Sequence, residues 1–219
     1  MLHRHQAAGP QEPPRGLLDD PDRVQPVLAA PERAGRVVLA DLGTGSGAIA
    51  LAIAQEMPRA RVHAVEADPL ARQWAQRNIT RWADSAPHTR GRVTLDADDF
   101  AGALPSLGGA VDLVISNPPY IPVGATVPPE VAEYDPAGAL WGGEDGLDAV
   151  RIIEEAARRL LRPGGLVAVE HGAPQGAAVY WTFAEERGWR DTRNHKDLAG
   201  RDRFVTARFD GSEPEAVAR

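Results

Sequence analysis

Apolar runs of strand length, each followed by a longer stretch of mixed polarity, recur from residue 36 to about residue 170. Val37-Val38-Leu39-Ala40-Asp41-Leu42, Arg61-Val62-His63-Ala64-Val65-Glu66 and Arg92-Val93-Thr94-Leu95-Asp96 read as the first three strands. Val111-Asp112-Leu113-Val114-Ile115-Ser116 and Leu166-Val167-Ala168-Val169-Glu170 read as the fourth and fifth. Short aliphatic and β-branched runs bounded by turn formers are what a buried strand requires. Residues 48–57 read as a helix, and Arg162-Pro163-Gly164-Gly165 reads as the turn that stops the helix before the fifth strand. The order is strand, helix, strand, helix, strand, strand, helix, strand, then a helix and a terminal hairpin. It predicts an α/β fold, a mostly parallel sheet doubly wound with helices on both faces, whose ligands bind at the carboxyl ends of the strands.

Candidate chemistry collects at those ends. Gly43-Thr44-Gly45-Ser46-Gly47 follows the first strand at once, and its alternate glycines allow a sharp turn and close approach of a ligand. Glu66 closes the second strand 23 residues past Gly43, the spacing at which an acid reaches ribose hydroxyls in a nucleotide-type site. Dinucleotide sites carry G-x-G-x-x-G, whereas this turn reads G-x-G-x-G and places Asp41 two residues ahead of it. A carboxylate there repels a pyrophosphate but accepts from an ammonium or a water, which suits S-adenosylmethionine, a ligand with ribose hydroxyls and no phosphate. Asp98 and Asp99 stand at the end of the third strand.

Asn117-Pro118-Pro119-Tyr120 follows the fourth strand. An amide nitrogen is a poor nucleophile, so an enzyme that alkylates one must orient both N–H bonds with fixed acceptors. The Asn117 side-chain oxygen and the Pro118 carbonyl are two such acceptors, the proline rings fix the backbone, and Tyr120 supplies a face. In isolation the tetrapeptide reads equally as a proline-rich turn closing a strand.

With the glycine turn upstream, the chain resembles the HemK/PrmC family, the N5-glutamine methyltransferases of peptide-chain release factors, from about residue 36 to residue 209. The resemblance rests on Asp41 to Ala52, Glu66-Ala67-Asp68, Ala75-Gln76-Arg77-Asn78 as the end of the next helix, Val114 to Ile121, and Glu170-His171-Gly172. It implies a class I, Rossmann-like methyltransferase fold with a seven-stranded sheet and a C-terminal antiparallel hairpin. It implies S-adenosylmethionine as cofactor, held by Asp41, Gly43, Thr44, Gly45, Ser46, Gly47, Glu66, Asp98, Asp99 and Asn117. Where the family often has an aromatic residue beside adenine this chain has Asp99, followed by Phe100, so the resemblance implies either weaker adenine stacking or stacking by Phe100. Asn117, Pro118, Pro119 and Tyr120 are implied as the substrate site, with Asn117 and Pro118 holding the glutamine amide. The implied partner is a release factor, met through its Gly-Gly-Gln loop, and the reaction needs no metal. The family pattern also has a helical recognition domain and a Pro-Arg-Pro-Glu-Thr-Glu-like segment before the cofactor loop, and residues 1–35 match neither.

Composition narrows the rest. With 219 residues, 43% of them hydrophobic, the chain can bury the core of one catalytic domain. Residues 1–35 carry prolines at 10, 13, 14, 21, 26 and 31 and read as a flexible segment with a turn of helix near 24–29; residues 210–219 read as a tail. A net charge of −7 counts against nucleic acid as substrate. Arg151, Arg158, Arg159 and Arg162 read mainly as a solvated helix face paired with Glu154 and Glu155. No cysteine is present, so disulfides and thiolate metal sites are excluded. No window is apolar enough to span a bilayer, and a cytoplasmic location is expected. Residues 123–141 read as a flap over the substrate pocket, with Trp141 as a candidate wall; His171 reads as a strand-end histidine satisfying backbone groups more readily than as a base. Glutamine methylation of another protein such as a ribosomal protein, an amino-methyltransferase acting on DNA or RNA, and a cofactor-binding module without transfer remain the alternatives.

Overall fold

The structure is a computed structural model that describes residues 36–129, 133 and 136–211. The flexible segment expected at 1–35, with its turn of helix, and most of the expected tail lie outside the described residues. Seven strands form one sheet in the order β3-β2-β1-β4-β5-β7-β6. They are β1 (Val37–Leu42), β2 (Ala60–Val65), β3 (Val93–Asp96), β4 (Val111–Ser116), β5 (Leu161–Glu170), β6 (Trp189–Lys196) and β7 (Asp202–Phe209). The helices are α1 (Ala48–Glu56), α2 (Pro69–Ser85), the short α3 (Ala137–Leu140), α4 (Asp148–Leu160) and α5 (Gly176–Thr182). The first five strands run parallel; β7 is antiparallel to both β5 and β6, which is the expected terminal hairpin.

Alternation along the strands explains why both faces are covered. Leu39 points into one apolar cluster with Ala50 and Ala54 of α1 and Val62 and Ala64 of β2. Its neighbours Ala40 and Leu42 point into the other, with Val114, Val150, Ile153 and Leu160. The small residues of α1 let it sit close to the sheet, and Gly47 ahead of it would bring a Cβ to 3.7 Å from the backbone of Ala75 in α2. On α4 the buried Val150, Ile153, Ala157 and Leu160 recur at helical spacing and form its core stripe.

Two boundaries differ from the sequence expectation. Helix α2 runs on to Ser85 instead of ending near Asn78: Asp68 caps it by accepting the Ala71 N–H at 2.7 Å, Pro69 opens it, and nothing in the sequence up to Ser85 breaks it. Strand β5 starts at Leu161, which pairs with Val111 before the 162–165 turn interrupts the register; pairing resumes at Leu113 and Leu166. The expected turn is therefore a bulge in the strand, with Gly164 at φ 77°.

Register decides where the site lies. Leu42 is level with Val65 and with Ser116, Val65 with Asp96, and Ser116 with Val169. Five strands thus finish in line, and the residues after them share one edge. The buried Ser116 hydroxyl fastens two of these ends by donating to the Leu42 carbonyl at 2.6 Å.

Candidate active site

The turn after β1 is shaped by backbone conformation that only glycine takes easily. Gly43, Gly45 and Gly47 have φ of 72°, 58° and 82°, so a side chain at any of them is strained. The Gly43 and Thr44 N–H groups both donate to the Val65 carbonyl at 2.9 Å, and Asn78 of α2 donates to the Ser46 carbonyl at 2.9 Å. The turn is therefore pinned to β2 and α2. Glu66 adds a third tie, one oxygen accepting the Gly45 N–H at 2.8 Å and the other the Asp68 N–H at 2.9 Å.

A cavity of about 660 Å³ opens along this edge. Gly43, Thr44, Gly45, Ser46, Glu66, Asp98, Asp99, Phe100, Asn117, Pro118, Pro119 and Tyr120 all line it, so most of the candidates from separate strand ends meet in one place. The size falls within the range of small-molecule sites. Phe100 stands against the turn, since a Cβ on Gly43 would lie 3.0 Å from its ring. Asp98 accepts the Asp99 N–H at 2.9 Å and Asp99 accepts the Gly102 N–H at 2.8 Å, which fixes the loop after β3. Asn117 is exposed and Pro118 buried. The Asn117 side chain lines the cavity and makes no hydrogen bond to the described residues. Tyr120 donates its hydroxyl to Glu170 at 3.4 Å, and burial, reinforced by the Glu170 charge, raises its pKa.

Asp41 and Gly47, expected among the cofactor contacts, are not among the residues that line the cavity. Asp41 is fully buried; one oxygen accepts the Thr44 hydroxyl at 2.6 Å and the Ala50 N–H at 3.1 Å, so it clamps the turn from beneath. Its other oxygen has no partner among the described residues. Burial pushes its pKa up to about 6, against the pull of the Thr44 and Ala50 hydrogen bonds. Gly47 acts through packing as the residue before α1.

Of the flap, the described Pro136, Gly138, Ala139 and Leu140 line the cavity, whereas Trp141 does not: it bridges to Ile121. His171 is buried, with its ring nitrogens 2.9 Å from the Gly172 carbonyl and 3.1 Å from Asn194 Oδ1, a satisfied strand-end histidine. Of the four arginines, Arg158 meets Glu154 at 4.0 Å as expected, whereas Arg151 pairs with Asp145 and Asp148, Arg159 donates to the Ala101 and Ala103 carbonyls, and Arg162, which lies in β5, pairs with Asp112. Sequence reasoning missed Ala71, in the first turn of α2, as cavity wall; its place just after Glu66-Ala67-Asp68 is the signal that pointed to it.

Residues 26–133 match the methyltransferase small domain family. Over 172 residues, 78% of this chain, it is 54% identical to a protein of Streptomyces coelicolor named release factor glutamine methyltransferase. A protein of the same name from Mycolicibacterium smegmatis is 50% identical over 170 residues. Over the matched residues this chain is similar to these release factor glutamine methyltransferases. This chain spans 58% of the length of each of those two relatives. A methyltransferase from Pyrococcus furiosus, 24% identical, aligns over 92% of this chain and 88% of its own with a TM-score of 0.57, in keeping with the class I S-adenosylmethionine-dependent methyltransferase fold. The donor set of the cavity fits that cofactor: a carboxylate able to accept from hydroxyls at Glu66, an aromatic wall at Phe100, and a glycine turn without a cationic side chain for phosphate.

Proposed function

We propose that this chain transfers a methyl group from S-adenosylmethionine to the side-chain amide nitrogen (N5) of the glutamine in the Gly-Gly-Gln loop of peptide-chain release factors. The observation that carries this reading is the shared cavity: the glycine turn and Glu66 line it together with Asn117 and Pro118. The names of the relatives support the same substrate. Residues 36–209 form the transfer domain in this reading, working in the cytoplasm; among the described residues no helix is long and apolar enough to cross a membrane.

Bound cofactor supplies an electrophilic methyl on a cationic sulfur. The turn of Gly43, Thr44, Gly45 and Ser46 would receive its amino-acid end, with Asp41 and Gly47 fixing the turn from behind. Glu66 accepts from the ribose hydroxyls through lone pairs its backbone bonds leave free, and Asp98, Asp99 and Phe100 border the base. Asn117 Oδ1 and the Pro118 carbonyl each accept one N–H of the glutamine amide, turning its nitrogen toward the methyl, while Pro119 and Tyr120 close the side of the pocket. Most of the acceleration is positional, because the two acceptors remove the rotational freedom of the amide before attack. The amide proton leaves after methyl transfer, when the nitrogen is strongly acidic, so His171 need not act as a base.

The test is mass spectrometry of a release factor's Gly-Gly-Gln peptide after incubation with this protein and S-adenosylmethionine. One added methyl on the glutamine is expected. Ribosomal subunits, DNA and RNA offered in parallel separate the alternatives, and methylation of one of them with none on the release factor overturns the assignment.

A further inference from the structure

The backbone after Pro119 is held by a side chain that lies outside the cavity. Gln175 ends a short helical turn, Ala173–Gln175, just after β5. Its Oε1 accepts the Gly172 N–H at 2.8 Å, while its Nε2 donates to the Tyr120 carbonyl at 2.8 Å and to the Asp145 carbonyl at 3.1 Å. The partners leave one orientation for the amide, because two carbonyls can only accept and an N–H can only donate. One side chain therefore joins three segments: the end of β5, the Asn117 to Tyr120 segment and the loop before α4.

That loop is stacked on the same backbone. A Cβ on Gly142 would lie 2.7 Å from the Pro119 carbonyl oxygen, and one on Gly146 would lie 2.3 Å from the Tyr120 carbonyl oxygen and 2.4 Å from Gln175 Nε2. Just downstream, Ile121 N–H donates to Leu140 and Gly142 N–H to Ile121, each at 2.9 Å, and Val123 N–H donates to Gly143 at 2.8 Å. Pro118 and Pro119 have φ fixed by their rings, so the remaining freedom of the segment is in ψ and in the peptide plane at Tyr120. Gln175 holds the carbonyl of that plane. Asn117 makes no side-chain hydrogen bond to the described residues, so its aim depends on this backbone.

We propose that Gln175 is a positioning residue for methyl transfer: by clamping the Tyr120 carbonyl to the 142–147 loop it sets the geometry of the acceptors at Asn117 and Pro118. The proposal rests on the function above. Gln175→Leu removes all three hydrogen bonds at similar size. Gln175→Glu, when ionised, has no donor and faces two carbonyls, whereas its neutral form can accept from Gly172 and donate to Tyr120.

The experiment measures transfer to a release factor, binding of S-adenosylhomocysteine by calorimetry, and hydrogen exchange in residues 119–123 and 142–147. Gln175→Leu is expected to lower kcat by about 10- to 100-fold, as small misplacements of reacting groups do, with cofactor affinity within twofold of the parent. Its Val123 and Gly142 amides should exchange faster, and kcat of Gln175→Glu, relative to the parent, should climb as pH falls. A Gln175→Leu protein with parental kcat and parental exchange overturns the proposal. Should the parent protein transfer no methyl, the function reading fails on its own, and unchanged exchange in Gln175→Leu still overturns the clamp.

Discussion

Glu66 is bound to the glycine turn it serves: its Oε2 accepts the Gly45 N–H at 2.8 Å across 21 positions of sequence. The acid proposed to meet a ribose is therefore also a strut of the loop beside it. Removing it should weaken cofactor binding twice over, by loss of a charge-assisted acceptor and by release of Gly45. Glu66→Ala is expected to cost about 1–3 kcal/mol of affinity for S-adenosylhomocysteine, roughly 5- to 150-fold in Kd. Calorimetry measures it, and an unaltered Kd would remove Glu66 from the site.

Asn117 stands on the other side of the cavity, and its substitution should separate binding from chemistry. Asn117→Ala takes away an acceptor for the amide without touching the glycine turn or Glu66. Cofactor affinity should stay near the parental value while kcat falls by about 100-fold or more, the scale on which misorientation acts. Radiolabel transfer beside calorimetry provides both numbers; equal turnover in the variant would refute the role.

Asp41 links the site to pH. Its pKa rises from the ordinary 3.8 to about 6, chiefly through burial. The folded protein holds this proton more tightly than the unfolded chain, so the stabilisation is whole below pH 4 and is lost as pH rises through about 6. Two units correspond to roughly 3 kcal/mol. Asp41→Asn keeps an oxygen for Thr44 and Ala50 but cannot titrate. Relative to that variant, the parent should lose on the order of 1–3 kcal/mol between pH 4 and pH 7, read from denaturant unfolding at each pH. Parallel curves would mean that Asp41 carries no such linkage.

The centre of the sheet was legible because strands such as β1 and β2 are covered on both faces and read as mostly apolar runs, whereas β6, with Arg190 and Asp191 exposed, carries no such run. The site was legible where residues sit at strand ends, as Gly43, Glu66 and Asn117 do, since topology alone brings such ends together. What escaped was direction. Asp41 precedes the turn in sequence and yet points under it, because strand alternation sends it to the protein side. Gln175 escaped for another reason: a polar side chain that bonds to three backbone groups leaves no periodicity or motif, and only the carbonyls it meets reveal it. The end of α2 escaped because the resemblance sets it at Asn78, whereas the chain itself carries no breaker before Ser85 and Asn78 sits within the helix with its amide on the Ser46 carbonyl.

Glu154 tests whether the far side of the fold can be weakened without touching the cavity. It is wholly buried on α4; Oε1 accepts the Trp189 indole N–H at 2.8 Å and Oε2 accepts Arg187 at 3.0 Å. Trp189 in turn packs edge-on against Phe183 at 5.1 Å and tilted against Phe209 at 5.6 Å, so the carboxylate anchors the aromatic cluster that seats β6 and β7 on the sheet. Arg187 is 53% exposed and can rehydrate when the pair is broken, and Arg158, 15% exposed and 4.0 Å from Glu154 Oε1, keeps the Arg187 carbonyl and the Phe209 ring as partners, which keeps the cost below that of stranding an unpartnered buried cation. The indole N–H cannot rehydrate. Glu154→Ala should therefore cost about 1–3 kcal/mol, the penalty of a buried donor left unpaired. Glu154→Gln should cost less, since its amide oxygen can still accept from Trp189. Urea unfolding followed by tryptophan fluorescence should rank parent, glutamine and alanine in that order, with kcat per folded molecule unchanged at low temperature. Equal stability for alanine and glutamine would show that the Trp189 hydrogen bond is not what holds the cluster.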